Sequence, residues 1–427
     1  MKFKKIINLL LITSMTMGVF SGCGKKEIPL EENNTEVKEE VGALVPEEGA
    51  KLTFWTLSGD SEYGKAVAQA FEEKYGIKVD VQENGMESVS KMMLDGPSGN
   101  GADIFMGPHD AFLVSKDAGI IAELSEEGSK TVKNEIDEVA VNTVSLDGKV
   151  YGVPVSIENY ALLYNKDLVT GEPASTMEQI KEEAGAYNDP SQNKFWYITV
   201  PTDGYPAFTF LSSYGFELFG PIGTDGDNPG FDTPEFVKGL EAISKLKDII
   251  PIKAEDLKME TMSLLEQNFK EGKTAYYPIG PWLVKSLKEE NINFGVTPLP
   301  TMDGKQLRSF SGVQNAYVSA YSEYPKAAEL FALFLTSDEA ANFLYEKSYR
   351  ITAKKDITNV TGLMADEELR VFSEAFKTSV PMPSTKRLSY YWTVMQGVLN
   401  SVFEGTLTPE EGAAKAQADF DALVQSE

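Results

Sequence analysis

Between Lys51 and Met106 the chain switches repeatedly between a two-residue and a helical period, and this alternation restricts its fold more than any other feature. Leu52-Thr53-Phe54-Trp55 reads as a short strand closed by Ser58-Gly59-Asp60. Val67, Ala70, Phe71 and Tyr75 then fall at helical spacing, and Gly76 ends that helix. Ile77 to Val81 alternates as a second strand, a second helix runs to about Leu94, and Asp103 to Met106 forms a third strand. A β-α-β-α-β order predicts a parallel, doubly wound sheet with ligands at the carboxyl ends of its strands. A second α/β series occupies roughly 160–300. Beyond Tyr324 the pattern is mainly helical, with helices expected at Glu329–Phe334, Asp338–Tyr345 and Leu388–Phe403. At 427 residues the chain exceeds one compact core and suits two α/β lobes.

The amino terminus reads differently. Lys2, Lys4 and Lys5 precede an apolar stretch, Ile6 to Val19, that closes on Ser21 and Gly22. This is the pattern of a secretory leader covering residues 1–22, too short and interrupted to span a membrane. Cys23, the single cysteine of the chain, follows at once and resembles a bacterial lipobox cysteine, with Phe20 standing where Leu is usual. Such a cysteine is diacylated, and two acyl chains suffice for stable anchoring. Residues 23–50 are polar and rich in Glu, so they are expected to be a disordered tether that holds the folded part away from the membrane. The formal net charge of −26 disfavours nucleic acid and anionic lipid as partners.

Residue types limit the chemistry. With one histidine, His109, a His-based nucleophilic triad has only one place to form, and no His/Cys metal cluster can be assembled. No phosphate-loop or dinucleotide glycine fingerprint occurs, so neither a cofactor nor a metal is expected. The 65 Asp and Glu residues leave a two-carboxylate glycosidase open. A sugar site needs carboxylates for ring hydroxyls and aromatic planes for the C–H faces. Asp60, Asp110 and Glu158, each just after a predicted strand, offer the first; Tyr205, Phe208, Trp282 and Trp392 offer the second. Each also has a structural reading: Asp60 and Asp110 as helix caps, Glu158 as a solvated charge, Trp282 and Trp392 as core.

In order, these segments resemble the maltose/maltodextrin-binding proteins of bacterial ABC transporters from Lys51 to the carboxyl terminus. The stretches that carry the resemblance are Lys51–Trp55, Gly76–Val79, Asp103–Phe105 with His109-Asp110, Asp147–Lys149 and Tyr164-Asn-Lys-Asp-Leu168. They continue through Glu271–Ala275, Gly280-Pro281-Trp282, Gly295–Thr301 and Met382-Pro383 with Trp392. The resemblance implies an α/β, two-lobed fold of the type II periplasmic-binding-protein kind, with three crossings near 157–160, 311–315 and 362–368. One lobe would hold 51–157 plus 316–361, the other 158–310 plus 368–427. Asp60, Asp110, Glu158 and Asp203 stand at the family's polar sugar contacts, and Tyr205, Trp282 and Trp392 at its stacking aromatics, with Phe208 in a loosely matching segment. Gly107 and Gln396 replace a Trp and an Arg of the best-known members, and Ser61 and Ala111 replace a Lys and an Arg. These changes would enlarge the cleft or alter the sugar.

The function implied is that of a monomeric, extracytoplasmic binding protein without catalysis. It would capture a maltodextrin-type oligosaccharide by hinge closure and pass it to an ABC permease and its ATPase subunits. A different oligosaccharide, a sensing role or a surface glycoside hydrolase are the alternatives.

Overall fold

The structure, a computed structural model, describes residues 44–427 apart from 222, 259, 260 and 384; the expected leader, Cys23 and most of the tether lie outside the described residues. No helix among the described residues is long and apolar enough to cross a membrane.

Two sheets organise the described chain. The first contains β1 (Lys51–Thr56), β2 (Lys78–Glu83), β3 (Ile104–Pro108) and β4 (Val153–Asn159). The second contains β5 (Ala161–Asn165), β6 (Phe195–Tyr197), β7 (Thr274–Ile279) and β8 (Phe294–Thr297). The chain then returns to the first sheet with β9 (Phe310–Val318), β10 (Ile351–Thr352) and β11 (Val380–Pro381). The strand order is β10-β4-β9-β3-β1-β2, with β11 on β9, in the first sheet and β8-β5-β7-β6 in the second.

The first three strands form as their pattern requires. The helix Ser61–Tyr75 buries Val67 and Phe71 and ends at Gly76, whose positive φ of 71° lets its N–H return to the carbonyl of Glu72. Phe71 packs edge-on against Phe331 of the helix Pro325–Phe334. β2 and β3 both pair with β1 in parallel. Asp103 locks that arrangement, because its carboxylate accepts the Thr53 N–H at 2.8 Å while its own N–H donates to the Thr53 carbonyl.

The sheet as a whole departs from the expected parallel winding. β9 inserts antiparallel between β3 and β4, so the sheet is mixed. All nine residues of β9 are buried, which lets a strand from late in the chain occupy the centre of a sheet begun early. Such non-local pairing carries no local sequence signal. A register shift separates Gln314, opposite Ser156, from Asn315, opposite Pro154. Pro154 has no N–H to give the ladder, and a bulge is where a sheet tolerates that.

One residue, Tyr160, separates β4 of the first sheet from β5 of the second. The helix Leu388–Phe403, found where its periodicity predicts, packs with Pro409–Gln425 onto Pro234–Lys245. A complete capping box, Thr408 with Glu411, starts the last helix.

Candidate ligand-binding site

Tyr160 lies where the chain passes between the sheets, and around it is a cavity of about 570 Å³. Asp110, Glu158, Asp203, Tyr205, Trp282 and Trp392 all line it. The other two expected residues do not. Phe208 is 1% exposed and stacks face to face on Phe310, with centroids 3.5 Å apart, so it belongs to the core behind the site. Asp60 is 5% exposed and ion-paired to Arg350 at 2.8 Å; it holds the N-cap position of its helix without making a cap hydrogen bond.

The aromatic wall is a continuous series of rings. Tyr160 meets Tyr205 edge-on at 5.3 Å and Trp282 at 5.9 Å. Tyr205 meets Phe310 at 5.7 Å, and Phe310 in turn meets Trp392 at 6.2 Å. Two glycines seat the indoles. A Cβ on Gly280 would lie 1.9 Å from the Trp282 ring, so only glycine allows that ring to fold back over its own approach. At Gly204 a Cβ would fall 2.9 Å from Tyr391 and 3.1 Å from Trp392. Asp203 caps the helix Gly204–Ser213 by accepting the Tyr205 N–H at 2.9 Å, which fastens Tyr205 at the helix start. Burial holds the Tyr205 phenol well above its ordinary range, helped by the nearby Glu158 and Asp110 charges, so the ring stays neutral.

Glu158 in the lining is backed by a cluster of charges. Arg350, just before β10, grips Asp60 through Nε and Glu158 through an NH group. Burial opposes the guanidinium charge, but Glu158 and Asp60 outweigh it and raise the Arg350 pKa. The second Glu158 oxygen accepts from Gln314 Nε2 at 3.2 Å. Among the described residues Asp110 makes no hydrogen bond or ion pair, leaving its carboxylate available to a ligand.

His109 is structural in this geometry. Its Nδ1 accepts the Val313 N–H at 3.1 Å, so the proton sits on Nε2, 3.4 Å from the Met382 carbonyl oxygen. Burial lowers the imidazole pKa against the raising influence of Asp110 and Glu158. The ring ties the loop after β3 to β9 and to the segment entering the last helices.

Sequence reading missed several residues. Tyr160, Gln314, Met382 and Thr393 line the cavity, and Met86 does so at its rim while 60% exposed. Arg350 carries no motif; only the fold brings it to two carboxylates 290 and 192 positions away. Gln396 also lines the cavity. Gly107 does not open it, because a Cβ there would point at Val89, 2.9 Å away, and at Tyr317. A second cavity of about 760 Å³ shares Tyr160 as a wall, but Tyr160 is the only aromatic among the described residues that line it, so it lacks the paired stacking planes of the first.

A two-lobed α/β frame with an aromatic and a carboxylate wall is what a solute-binding protein presents to a polar ligand. The family model of the bacterial extracellular solute-binding proteins matches residues 66–370. The chain belongs to that family. Its members are binding proteins, extracellular by description. The chain is 30% identical over 385 residues to the galactooligosaccharide-binding protein of Bacillus subtilis (strain 168), covering 89% of this chain and 90% of that one. It is 27% identical to a maltooligosaccharide ABC transporter solute-binding lipoprotein of Streptococcus pneumoniae (strain R6), covering 99% and 97%. Among solved structures, a cyclo/maltodextrin-binding protein complexed with maltotetraose superposes with a TM-score of 0.78 at 31% identity, covering 88% of this chain and 97% of that one. MalX from Streptococcus pneumoniae in complex with maltopentaose gives 0.79 at 26% identity, covering 87% and 100%.

Proposed function

We propose that this chain captures a maltodextrin-type oligosaccharide outside the cytoplasmic membrane and delivers it to the permease of an ABC transporter, without chemical conversion. The observation that carries this reading is the pairing of glycine-seated indoles, Trp282 and Trp392, with the carboxylates of Asp110 and Glu158 across one cavity. Sugar rings stack on the indoles and their hydroxyls donate to the carboxylates. Asp203 and Tyr205 complete the contact set; Asp60 acts through Arg350, and Phe208 supports Phe310 from behind. Glu158 is engaged on both oxygens, which suits a fixed acceptor rather than a proton-donating catalyst.

The lobes are taken as 51–157 plus 316–361 and 158–310 plus 368–427, although Glu158, Asn159, Phe310 and Val380–Pro381 pair within the first sheet, and they close by hinge bending around Tyr160 and the neighbouring crossings. Only the closed form touches sugar from both sides, so sugar favours closure. The chain acts as a monomer. Residues 1–22 are a leader, Cys23 carries the acyl chains and the tether is shorter than the expected 23–50, because the Glu47 carboxylate already accepts the Lys326 and Ala327 N–H groups of the folded part. Labelled palmitate is incorporated by the intact precursor and lost in Cys23→Ser.

The test is calorimetric titration of the chain lacking residues 1–23 with maltotriose, maltose and galactotriose. One saturable site for maltotriose supports the reading; heat only with galactotriose moves the substrate to galactooligosaccharides, the ligand class named for the 30%-identical relative. Silence with all three refutes it.

A further inference from the structure

We propose that Gln314 is a ligand-contacting residue, its side-chain carbonyl accepting a hydroxyl hydrogen from the bound sugar, and that Arg350 is the positioning residue that leaves that carbonyl free. The inference rests on the sugar reading above and names a specificity determinant within the same site.

Three observations carry it. First, Gln314 lines the cavity beside Gly312, Val313 and Glu158. Second, its amide has one forced orientation. The Glu158 carboxylate, ion-paired to Arg350, offers only acceptors, so the amide turns its NH2 group towards it, Nε2 to Oε2 at 3.2 Å. Third, the other end of the amide, Oε1, is buried with no partner among the described residues, in a side chain 6% exposed. A buried carbonyl left unpaired is costly, and two donor side chains of this region, Arg350 and Asn315, turn their hydrogens elsewhere. Arg350 is held by Asp60 and Glu158, and the neighbouring Asn315 amide turns to Val313 O and Tyr317 OH instead.

The backbone keeps Gln314 in place. β9 is buried along its length, and the register shift beside Gln314, opposite the N–H-lacking Pro154, sets which β9 side chains share a face with Glu158. Gly312, opposite Glu158, adds no side chain between them. A ligand hydroxyl donates to Gln314 Oε1, whereas a methyl ether or a missing hydroxyl at that point leaves the carbonyl unpaired. Arg350 acts at one remove: with Glu158 Oε1 committed to the guanidinium, Oε2 is held where it takes the amide N–H. The charged and titratable groups facing Glu158 are Arg350 and, through it, Asp60, with His109 and Tyr205 near enough to feel the Glu158 charge and Asp110 beside them.

Titration of the wild type and of Gln314→Met with maltotriose and with its single-hydroxyl deoxy derivatives tests the contact; galactotriose and its derivatives serve if that is the sugar bound. The wild type is expected to lose about tenfold in affinity with one particular derivative. Gln314→Met loses a similar factor with the parent sugar and no longer distinguishes parent from that derivative. Gln314→Met binding the parent like wild type, or keeping every deoxy penalty, overturns the contact. Because Gln314→Met also strips a donor from Glu158, circular dichroism and thermal melting accompany it. Gln314→Glu is the second variant, placing an acceptor-only group against Glu158, and it is expected to bind more weakly than Gln314→Met. For Arg350, Arg350→Met is expected to weaken sugar binding and to blunt the selective deoxy penalty seen at Gln314, and Arg350→Lys restores most of the wild-type affinity and selectivity. Wild-type affinity with an unchanged deoxy penalty in Arg350→Met overturns the positioning role. A wild type that binds none of these sugars removes the underlying reading itself, an outcome distinct from a wild type that binds while Gln314→Met is unaffected.

Discussion

The two walls of the cavity are held by different physics. Two rings of the aromatic wall are seated locally, Trp282 by Gly280 and Tyr205 by Asp203, each two residues away, while Trp392 rests against Gly204 from a remote segment. The carboxylate wall is assembled across the whole chain, with Arg350 joining Asp60 and Glu158 from three remote segments. Close packing of rings tolerates no inserted atom, whereas a buried ion network tolerates no lost partner. The two walls should therefore fail in different ways when mutated.

The largest expected effect is on the charged wall. Arg350→Met leaves Asp60 and Glu158 buried together without a counter-charge and should lower unfolding free energy by about 3–5 kcal/mol, read by urea denaturation. If stability is unchanged, the network is not the structural unit described. Phe208→Ala should cost a comparable ~3–5 kcal/mol by opening a void behind Phe310, while the sugar contacts of any protein still folded stay in place. That pairing separates support from contact.

Next come the indoles. Trp282→Ala and Trp392→Ala should each weaken oligosaccharide binding by about 1–3 kcal/mol in calorimetry, with smaller changes in melting temperature. Wild-type affinity in both would remove the stacking wall from the site. Gly280→Ala sharpens the comparison, because one methyl group displaces the Trp282 ring. It should cost about 1–3 kcal/mol of stability and reproduce part of the Trp282→Ala binding loss.

The smallest effect is a pH slope. Burial lowers the His109 pKa below its usual value near 6.5, so between that value and the folded pKa the unfolded chain holds a proton that the folded chain lacks. Stability contributed by neutral His109 is complete above about pH 6.5 and is lost as pH falls towards the folded pKa. Urea unfolding of the wild type should show this extra slope, at most about 1.4 kcal/mol per pH unit, and His109→Gln should lack it.

Legibility followed the same division. Strands and helices up to β3 were readable because each rests on near neighbours: Gly76 ending its helix and the alternation from Ile77 into β2 are local signals. Trp282, Trp392, Tyr205, Asp110, Glu158 and Asp203 were reached by residue type and resemblance, and the structure gathers all six around one cavity. Phe208 was misplaced because a helix dense in aromatics does not announce which ring faces the ligand; Phe310, over 100 positions later, covers it. Asp60 looked like a ligand contact or a cap; it takes the N-cap position, but its carboxylate pairs with Arg350 rather than with the helix N–H groups. Gly107 read as missing aromatic area, yet its Cβ direction faces Val89.

By itself the sequence determined the α/β alternation, the acidic character, the lack of residues for a metal cluster and the aromatic and acidic types available to a site. Those properties depend on composition and on neighbours within a few turns. Only the tertiary structure decided that β9 enters the first sheet antiparallel, that Arg350 spans two carboxylates and that Gln314 is left with an unpaired carbonyl in the cavity wall. Each of these is a pairing between segments far apart in the chain, chosen by which partners satisfy buried polar groups, and local periodicity carries no record of that choice.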